Sequence, residues 1–150
     1  STLIRHMVQA TSLSPDRVAY LPQEIGAERS REILDEFRSL PPQRLGQAMT
    51  VVSRLGSSPQ RLLESECPSP GEVRKLLLAA CIVGEPFLVV LDEPTNHLDL
   101  PSIECLEDAL EGCESALILV SHDRRFLKRL CRTTWEIRED DLGSGLVVHQ

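Results

Sequence analysis

Two unbroken apolar runs stand out along the chain, Phe87-Leu88-Val89-Val90-Leu91 and Ala116-Leu117-Ile118-Leu119-Val120. A short continuous apolar run is the pattern of a strand covered on both faces. Between them, Pro101 opens a helical pattern that continues to about Leu110. Strand, helix and strand together predict a βαβ unit with a parallel sheet and a right-handed crossover. Upstream, Glu72 to Val83 is apolar nearly all round and stops at Gly84, as a buried helix with a C-terminal glycine would. Arg17 to Leu21 reads as a further strand, halted by Pro22. Leu3, Ile4, Met7 and Val8 recur at helical spacing, which places the start of an amphipathic helix at or just before Ser1. Asp123 to about Cys131 predicts another helix. Thr133 to Ile137 and Leu146 to His149, separated by an Asp/Gly/Ser turn, predict a terminal hairpin.

Residues 24 to 66 have a different character. Charge-rich helical patterns are broken there at Pro41-Pro42, Gly56 and Pro59, with no strand among them. The expected organisation is a core made of residues 1–23 and 67–150, interrupted by a helical subdomain of two or three helices at 24–66.

Composition narrows the classes of function. The chain has 150 residues, 41% apolar and 26% charged, the balance of one ordinary globular domain rather than a disordered segment. Aromatic residues make up only 3%, which argues against a platform on which nucleic-acid bases stack. Asp and Glu number 23 against 16 Lys and Arg, a net charge of -7, so contact with a polyphosphate chain must be local. Cys67, Cys81, Cys105, Cys113 and Cys131 contain no CxxC pair and predict reduced thiols in a cytoplasmic protein, most of them filling the core. No apolar stretch is long enough to span a bilayer, and no membrane contact is expected.

Both buried strands end in polar residues. The first runs into Asp92-Glu93-Pro94-Thr95-Asn96-His97-Leu98-Asp99 and the second into Ser121-His122-Asp123. Ligands of open parallel sheets bind outside the carboxyl ends of the strands, so Asp92, Glu93 and His122 should share one crevice, with Gln23 added from the end of the third strand. An apolar strand ending in Asp suits the Walker B element of nucleotide hydrolases, in which a carboxylate supports Mg²⁺ against the phosphates. Glu93 would then serve a water molecule, His122 would donate to the γ-phosphate, and the Gln23 amide would serve metal or water. Alone, Asp-Glu-Pro also suits a helix-cap turn. Ser69, ahead of the buried helix, suits either an anion contact at a helix N-terminus or an ordinary N-cap. His97 and His122 lack a third ligand at zinc spacing, and zinc is not expected.

Taken in order, Tyr-Leu-Pro-Gln-Glu (20 to 24), Ser-Pro-Gly-Glu (69 to 72), Leu-Asp-Glu-Pro-Thr-Asn-His-Leu-Asp (91 to 99) and Ser-His-Asp-Arg-Arg-Phe-Leu (121 to 127) resemble an ATP-binding cassette (ABC) domain. They stand where its Q-loop, signature, Walker B with D-loop, and H-loop stand. The Asn96-His97 pair, Leu-Pro-Gln-Glu and the Ser-His-Asp-Arg-x-Phe-Leu form resemble the ABC-F family, soluble two-cassette proteins that act on ribosomes in translation or antibiotic resistance. The resemblance implies a P-loop NTPase-like α/β fold, a mostly parallel sheet with helices on both faces and a helical insertion. It implies ATP and Mg²⁺ as ligands, with Gln23 and Asp92 serving the metal, Glu93 acting as general base, and His122 contacting the γ-phosphate. Ser69, Gly71 and Glu72 would cap ATP held by an opposing cassette, in the same chain or in a homodimer, and Asp99 would lie at that interface. Ser1 and Thr2 stand where a Walker A motif ends, which makes Ser1 a further Mg²⁺ ligand and Thr2 an ATP contact.

Three departures accompany the resemblance. The signature usually reads Leu-Ser-Gly-Gly-Glu, and here Pro70 removes an N–H donor. The stretch ahead of Gln23 leaves little room for the usual antiparallel subdomain. No GxxxxGK precedes Ser1. The implied parent is therefore an ABC-F protein carrying this chain as its C-terminal cassette, cut within Walker A. The alternatives are the ATPase subunit of a membrane transporter and a catalytically silent cassette that serves as an interaction module. Arg124, Arg125, Lys128, Arg129 and Arg132 form a basic run that could meet rRNA but reads first as a solvated helix face. Without the glycine-rich cradle and its Lys, the 150-residue chain by itself is expected to show no submicromolar ATP binding in calorimetry and no hydrolysis.

Overall fold

A computed structural model describes residues 2–65, 68–140 and 143–149. Its central strand, β2 (Leu88–Asp92), lies between β1 (Val18–Leu21) and β3 (Ala116–Val120), both parallel to it. Every residue of β2 is buried. The register pairs Leu21 with Leu91 and Val120 with Asp92, so the three strands finish at nearly the same level. Side-chain alternation then sorts the sheet into two faces. Leu88 and Val90, with Val18, Tyr20, Ile118 and Val120, pack on Ile4 and Val8 of helix α1 (Thr2–Ala10). A 3₁₀ turn (Pro15–Arg17) leads from α1 into β1.

The inserted segment forms three helices, α2 (Ala27–Arg38), α3 (Pro42–Arg54) and α4 (Pro59–Glu64), the upper of the two numbers expected. Their limits fall at the residues that break the pattern. Pro42 and Pro59 open α3 and α4, where a missing N–H is harmless. Gly56 closes α3 with φ 76, its N–H donating to the Ser53 carbonyl while the Ser57 N–H reaches back to Val52. This is a Schellman ending, and it needs the left-handed residue that glycine supplies most cheaply. The apolar faces of the three helices (Ile33, Phe37, Met49, Val52, Leu62) close on Val73, Leu76 and Ala79 of helix α5 (Pro70–Val83).

On its other side α5 turns Leu78 and Cys81 towards the sheet. There they meet Val89, Leu91, Leu106 and Leu110 of α6 (Leu100–Glu111), and Phe126 of α7 (Arg124–Leu130). A helix shared between two cores must be apolar on both sides, which explains its sequence. It begins at Pro70, ahead of the expected Glu72, because Ser69 and Glu72 form a capping box. The Ser69 backbone N–H donates to the Glu72 carboxylate at 2.8 Å, and Ser69 Oγ accepts from the Glu72 N–H at 3.3 Å. Pro70 takes the first helical position, so its lost donor costs the helix nothing. At the other end Gly84 has φ -70, and the left-handed residue is Glu85 with φ 47. Space rather than backbone freedom requires Gly84, since a Cβ there would stand 2.8 Å from the Ala80 carbonyl oxygen.

Other expectations shift slightly. β3 was expected to be covered on both faces, yet Ala116 is exposed and Leu117 to Val120 are half-buried. Among the described residues β3 pairs with β2 alone, so one side of it lacks a neighbour. Asp123 caps α7 from outside, accepting from the Arg125 and Phe126 N–H groups, instead of being its first residue. The hairpin of β4 (Thr134–Asp140) and β5 (Gly143–His149) is antiparallel as expected. β5 starts at Gly143 rather than Leu146, because Gly143, Ser144 and Gly145 join the ladder opposite Asp140, Glu139 and Arg138. Of the described cysteines only Cys81 is fully buried, and burial pushes its thiol up to about 12, while Cys105, Cys113 and Cys131 are half-buried and free. Cys67 lies outside the described residues. Among those described, no helix is long and apolar enough to cross a membrane.

Two measurements test this packing. Phe126 is wholly buried at the junction of α7 with the sheet, so Phe126→Ala is expected to lower unfolding free energy by about 3–5 kcal/mol in urea titrations. Glu72 holds its proton less tightly when folded than its ordinary value of 4.5, first because the Ser69 backbone N–H donates to it and then because of the Ser69 hydroxyl. A depressed folded value means that its stabilisation is complete above 4.5 and is lost as pH falls through the folded value. Glu72→Gln should therefore be less stable than the parent at neutral pH, with the difference shrinking steadily in acid.

Candidate functional site

The carboxyl ends of the strands gather the polar residues. Asp92, the last residue of β2, is 1% exposed, and Glu93, which follows it, is 6% exposed. The Glu93 N–H donates to the Val120 carbonyl at 2.8 Å, carrying the ladder one residue past the strand. Glu93 has φ 51, a left-handed conformation that costs a residue with a Cβ about 1–3 kcal/mol. Its neighbours hold it there, because its carbonyl accepts from Asn96 N–H at 3.2 Å and from Arg74 Nη1 at 2.6 Å. The side chain is thereby aimed across to the end of β3. Its carboxylate stands 3.5 Å from His122 Nε2 and accepts from the His122 backbone N–H at 3.4 Å. The imidazole itself is fully exposed.

Arg74 is the site residue that sequence reasoning missed. It sits on α5, 3% exposed, and its second nitrogen, Nη2, donates to the carbonyl of Gln23. One guanidinium thus ties the segment after β1 to the turn after β2. Burial lowers its pKa and the charges of Asp92 and Glu93 oppose that shift, but a guanidinium keeps its proton in proteins regardless. The available signal was a cationic pair, Arg74-Lys75, inside an otherwise apolar helical run. Gln23 itself is exposed and joins the site through its backbone.

The remaining candidates lie along the N-terminus of α5 and the turn that follows Glu93. Ser69 is exposed, and Gly71 comes close enough to that turn for a Cβ on it to stand 3.9 Å from the His97 carbonyl oxygen. His97 is a second left-handed residue, with φ 65. Asp99 caps α6 by accepting from the Ser102 N–H at 3.0 Å, and the Ser102 hydrogen bonds hold its carboxyl below the usual range. Ser1 and the side chain of Thr2 lie outside the described residues. The basic run after His122 is exposed throughout, as a solvated helix face would be, and two of its members are also ion-paired. Arg129 donates to the fully buried Glu107 at 2.8 Å and to Asp108 and Glu111 at 2.6 and 2.7 Å, and Arg125 approaches the same Glu107 at 3.5 Å.

The chemistry open to this cluster follows from its donors. Asp92 and Glu93 are hard oxygen ligands held out of bulk water, beside an imidazole free to meet a ligand. Among the described residues no three His, Cys, Asp or Glu side chains gather into an all-protein metal cage. That donor set suits Mg²⁺, which keeps water and substrate oxygens in most of its positions and takes only one or two carboxylates from the protein.

No protein-family model matches the chain. It is 35% identical over 132 residues to the ATP-binding protein Uup of Caulobacter vibrioides, an alignment covering 85% of this chain and 21% of that protein. It is 35% identical over 138 residues to the zinc import ATP-binding protein ZnuC of Paracoccus denitrificans, covering 82% and 54%. With the ABC transporter F family member 2 of Arabidopsis thaliana it shares 45% identity over 74 residues, covering 49% and 11%. The chain therefore spans between 11% and 54% of the length of these relatives. A solved structure of RNase-L Inhibitor matches 97% of the chain with a TM-score of 0.67 at 17% identity, covering 31% of that structure. The fold is thus the α/β, P-loop NTPase-like arrangement of ABC ATPase domains, a family that works with ATP and Mg²⁺. On its fold and its relatives alike, the chain belongs to the ATP-binding cassette ATPases.

Proposed function

We propose that this chain is the hydrolytic part of one cassette of an ABC-F protein, closing with a second cassette around ATP. Juxtaposition of Glu93 and His122 at the ends of neighbouring strands, 3.5 Å apart, carries the reading. Bound Mg²⁺ would neutralise charge on the β and γ phosphates. Asp92, at the very end of β2, is the carboxylate placed to hold that ion, with Gln23 and Ser1 as further oxygen ligands. Glu93 accepts a proton from the attacking water, and the exposed His122 imidazole hydrogen-bonds the γ-phosphate. Thr2 adds an ATP contact. Ser69, Gly71 and Glu72 present the exposed N-terminus of α5 to nucleotide on the opposing cassette, and Asp99 lies at that contact. Residues 24–66 form the helical subdomain and 1–23 with 67–150 the core.

The ABC-F assignment rests on the Asn96-His97 pair and on the Ser-His-Asp-Arg-x-Phe-Leu sequence around His122. It brings with it a cytoplasmic location and the ribosome as partner. The pairing of Arg125 and Arg129 with acidic residues of α6 leaves Arg124, Lys128 and Arg132 as the cations of that run available to rRNA. The alignment with ZnuC supports a second reading, the ATPase subunit of a transporter. Co-sedimentation with ribosomes in the presence of ATP is expected, whereas fractionation with membranes alongside a permease would favour the second reading.

In the intact natural protein, Glu93→Gln is expected to slow ATP hydrolysis by roughly a hundredfold or more while leaving ATP binding intact, trapping an ATP-bound closed form. Unchanged turnover without trapping would assign this cassette to a silent interaction role.

A further inference from the structure

Arg74 joins two loops, the segment after β1 and the turn after β2. It is buried at 3% exposure, and its partners are backbone carbonyls, one two residues after β1 and one directly after β2. Glu93, whose carbonyl it holds, is in a left-handed conformation, so the direction of the Glu93 carboxylate depends on that carbonyl staying where it is. The same helix begins at the capped and exposed Ser69, about 7.5 Å along the axis from Arg74 at the usual helical rise. The capping box ties Ser69 to the first turn of α5. One guanidinium of this helix therefore holds both Gln23 and Glu93, beside the contact of Gly71 with the turn that follows Glu93.

We propose that Arg74 is a positioning residue that sets the Glu93 carboxylate and the Gln23 segment together and couples both to the exposed N-terminus of α5. The proposal rests on the hydrolytic reading of this cassette, and it adds the route by which nucleotide at the signature end reaches the water-activating residue of its own site. The fixed fork of the guanidinium serves both carbonyls at once, one from each Nη. A Lys ammonium keeps the charge but lacks the planar two-nitrogen geometry, and a Met keeps the stem without any donor.

The test uses the intact natural protein with Arg74→Met, Arg74→Lys and Glu93→Gln in parallel, measuring steady-state ATP hydrolysis and amide hydrogen exchange. Arg74→Met is expected to lower kcat by roughly tenfold to a hundredfold with KM for ATP changing less than about twofold, and Arg74→Lys to restore only part of the loss. Exchange should quicken at Asn96, whose N–H shares the Glu93 carbonyl, and in the segment after β1, while the amides of β2 keep their protection. Wild-type kcat in Arg74→Met, or a loss accompanied by equally faster exchange throughout β2, would overturn the proposal. Should Arg74→Met fail to fold, Arg74→Lys decides alone, and full turnover in it overturns the proposal as well. If Glu93→Gln hydrolyses ATP normally, the hydrolytic reading itself falls; if Glu93→Gln is inactive while Arg74→Met is normal, only the role of Arg74 falls.

Discussion

Burial of β2 on both faces and both edges is the constraint from which the rest of the structure follows. A strand with parallel neighbours on each side and helices above and below has no route to solvent except its ends. Its side chains must be apolar until the sheet stops, and the first polar residue marks the place where water or a ligand can enter. Asp92 and Glu93 occupy that place. Their backbone is still held by the sheet, through the Glu93 N–H bond to Val120, while their carboxylates lie beyond the apolar layer. Rigid backbone under reactive side chains is what preorganised chemistry requires.

Helix α5 converts this local arrangement into a connected one. One flank closes the core of α2, α3 and α4, the other packs on β2, and its first turn stands exposed with Ser69 as cap. Burying a cation inside so apolar a helix is costly unless its donors are met. Arg74 meets that cost with the carbonyls of Gln23 and Glu93 and with the nearby charges of Asp92 and Glu93. A second buried carboxylate is treated the same way on α6, which packs on the same face of the sheet as α5. There Glu107 of α6 is held by Arg129 of α7, although one of its oxygens, Oε1, has no hydrogen-bond partner among the described residues.

Much of this was legible in the sequence because the signals were local. Continuous apolar runs gave β2 and β3, proline and Gly56 gave the limits of α3 and α4, and Ser69 with Glu72 carried the capping box in its spacing. The residues singled out at Asp92, Glu93 and His122 do meet at one end of the sheet. Where the reading slipped, the cause was a partner distant in sequence. β3 lacks a described neighbour on one side, which its composition could not announce. The requirement for Gly84 comes from the Ala80 carbonyl close to it, and the left-handed residue is the next one, Glu85. Arg125 and Arg129 lie on the exposed basic face that was expected, and the pairing of that face with Glu107 and Glu111 of α6 is what the sequence left unmarked.

The sequence by itself determined the βαβ order, the helical insertion, the strand-end carboxylates and the resemblance to ATP-binding cassettes. These depend on periodicity and on motifs a few residues long, in which each residue's neighbours along the chain are also its neighbours in space. Only the tertiary structure decided that Arg74 joins Gln23 to Glu93, that Glu93 faces His122, and that the N-terminus of α5 lies against the turn after β2. Those contacts join segments tens of residues apart. Their partners are mostly backbone carbonyls, which every residue carries and which no sequence pattern can mark.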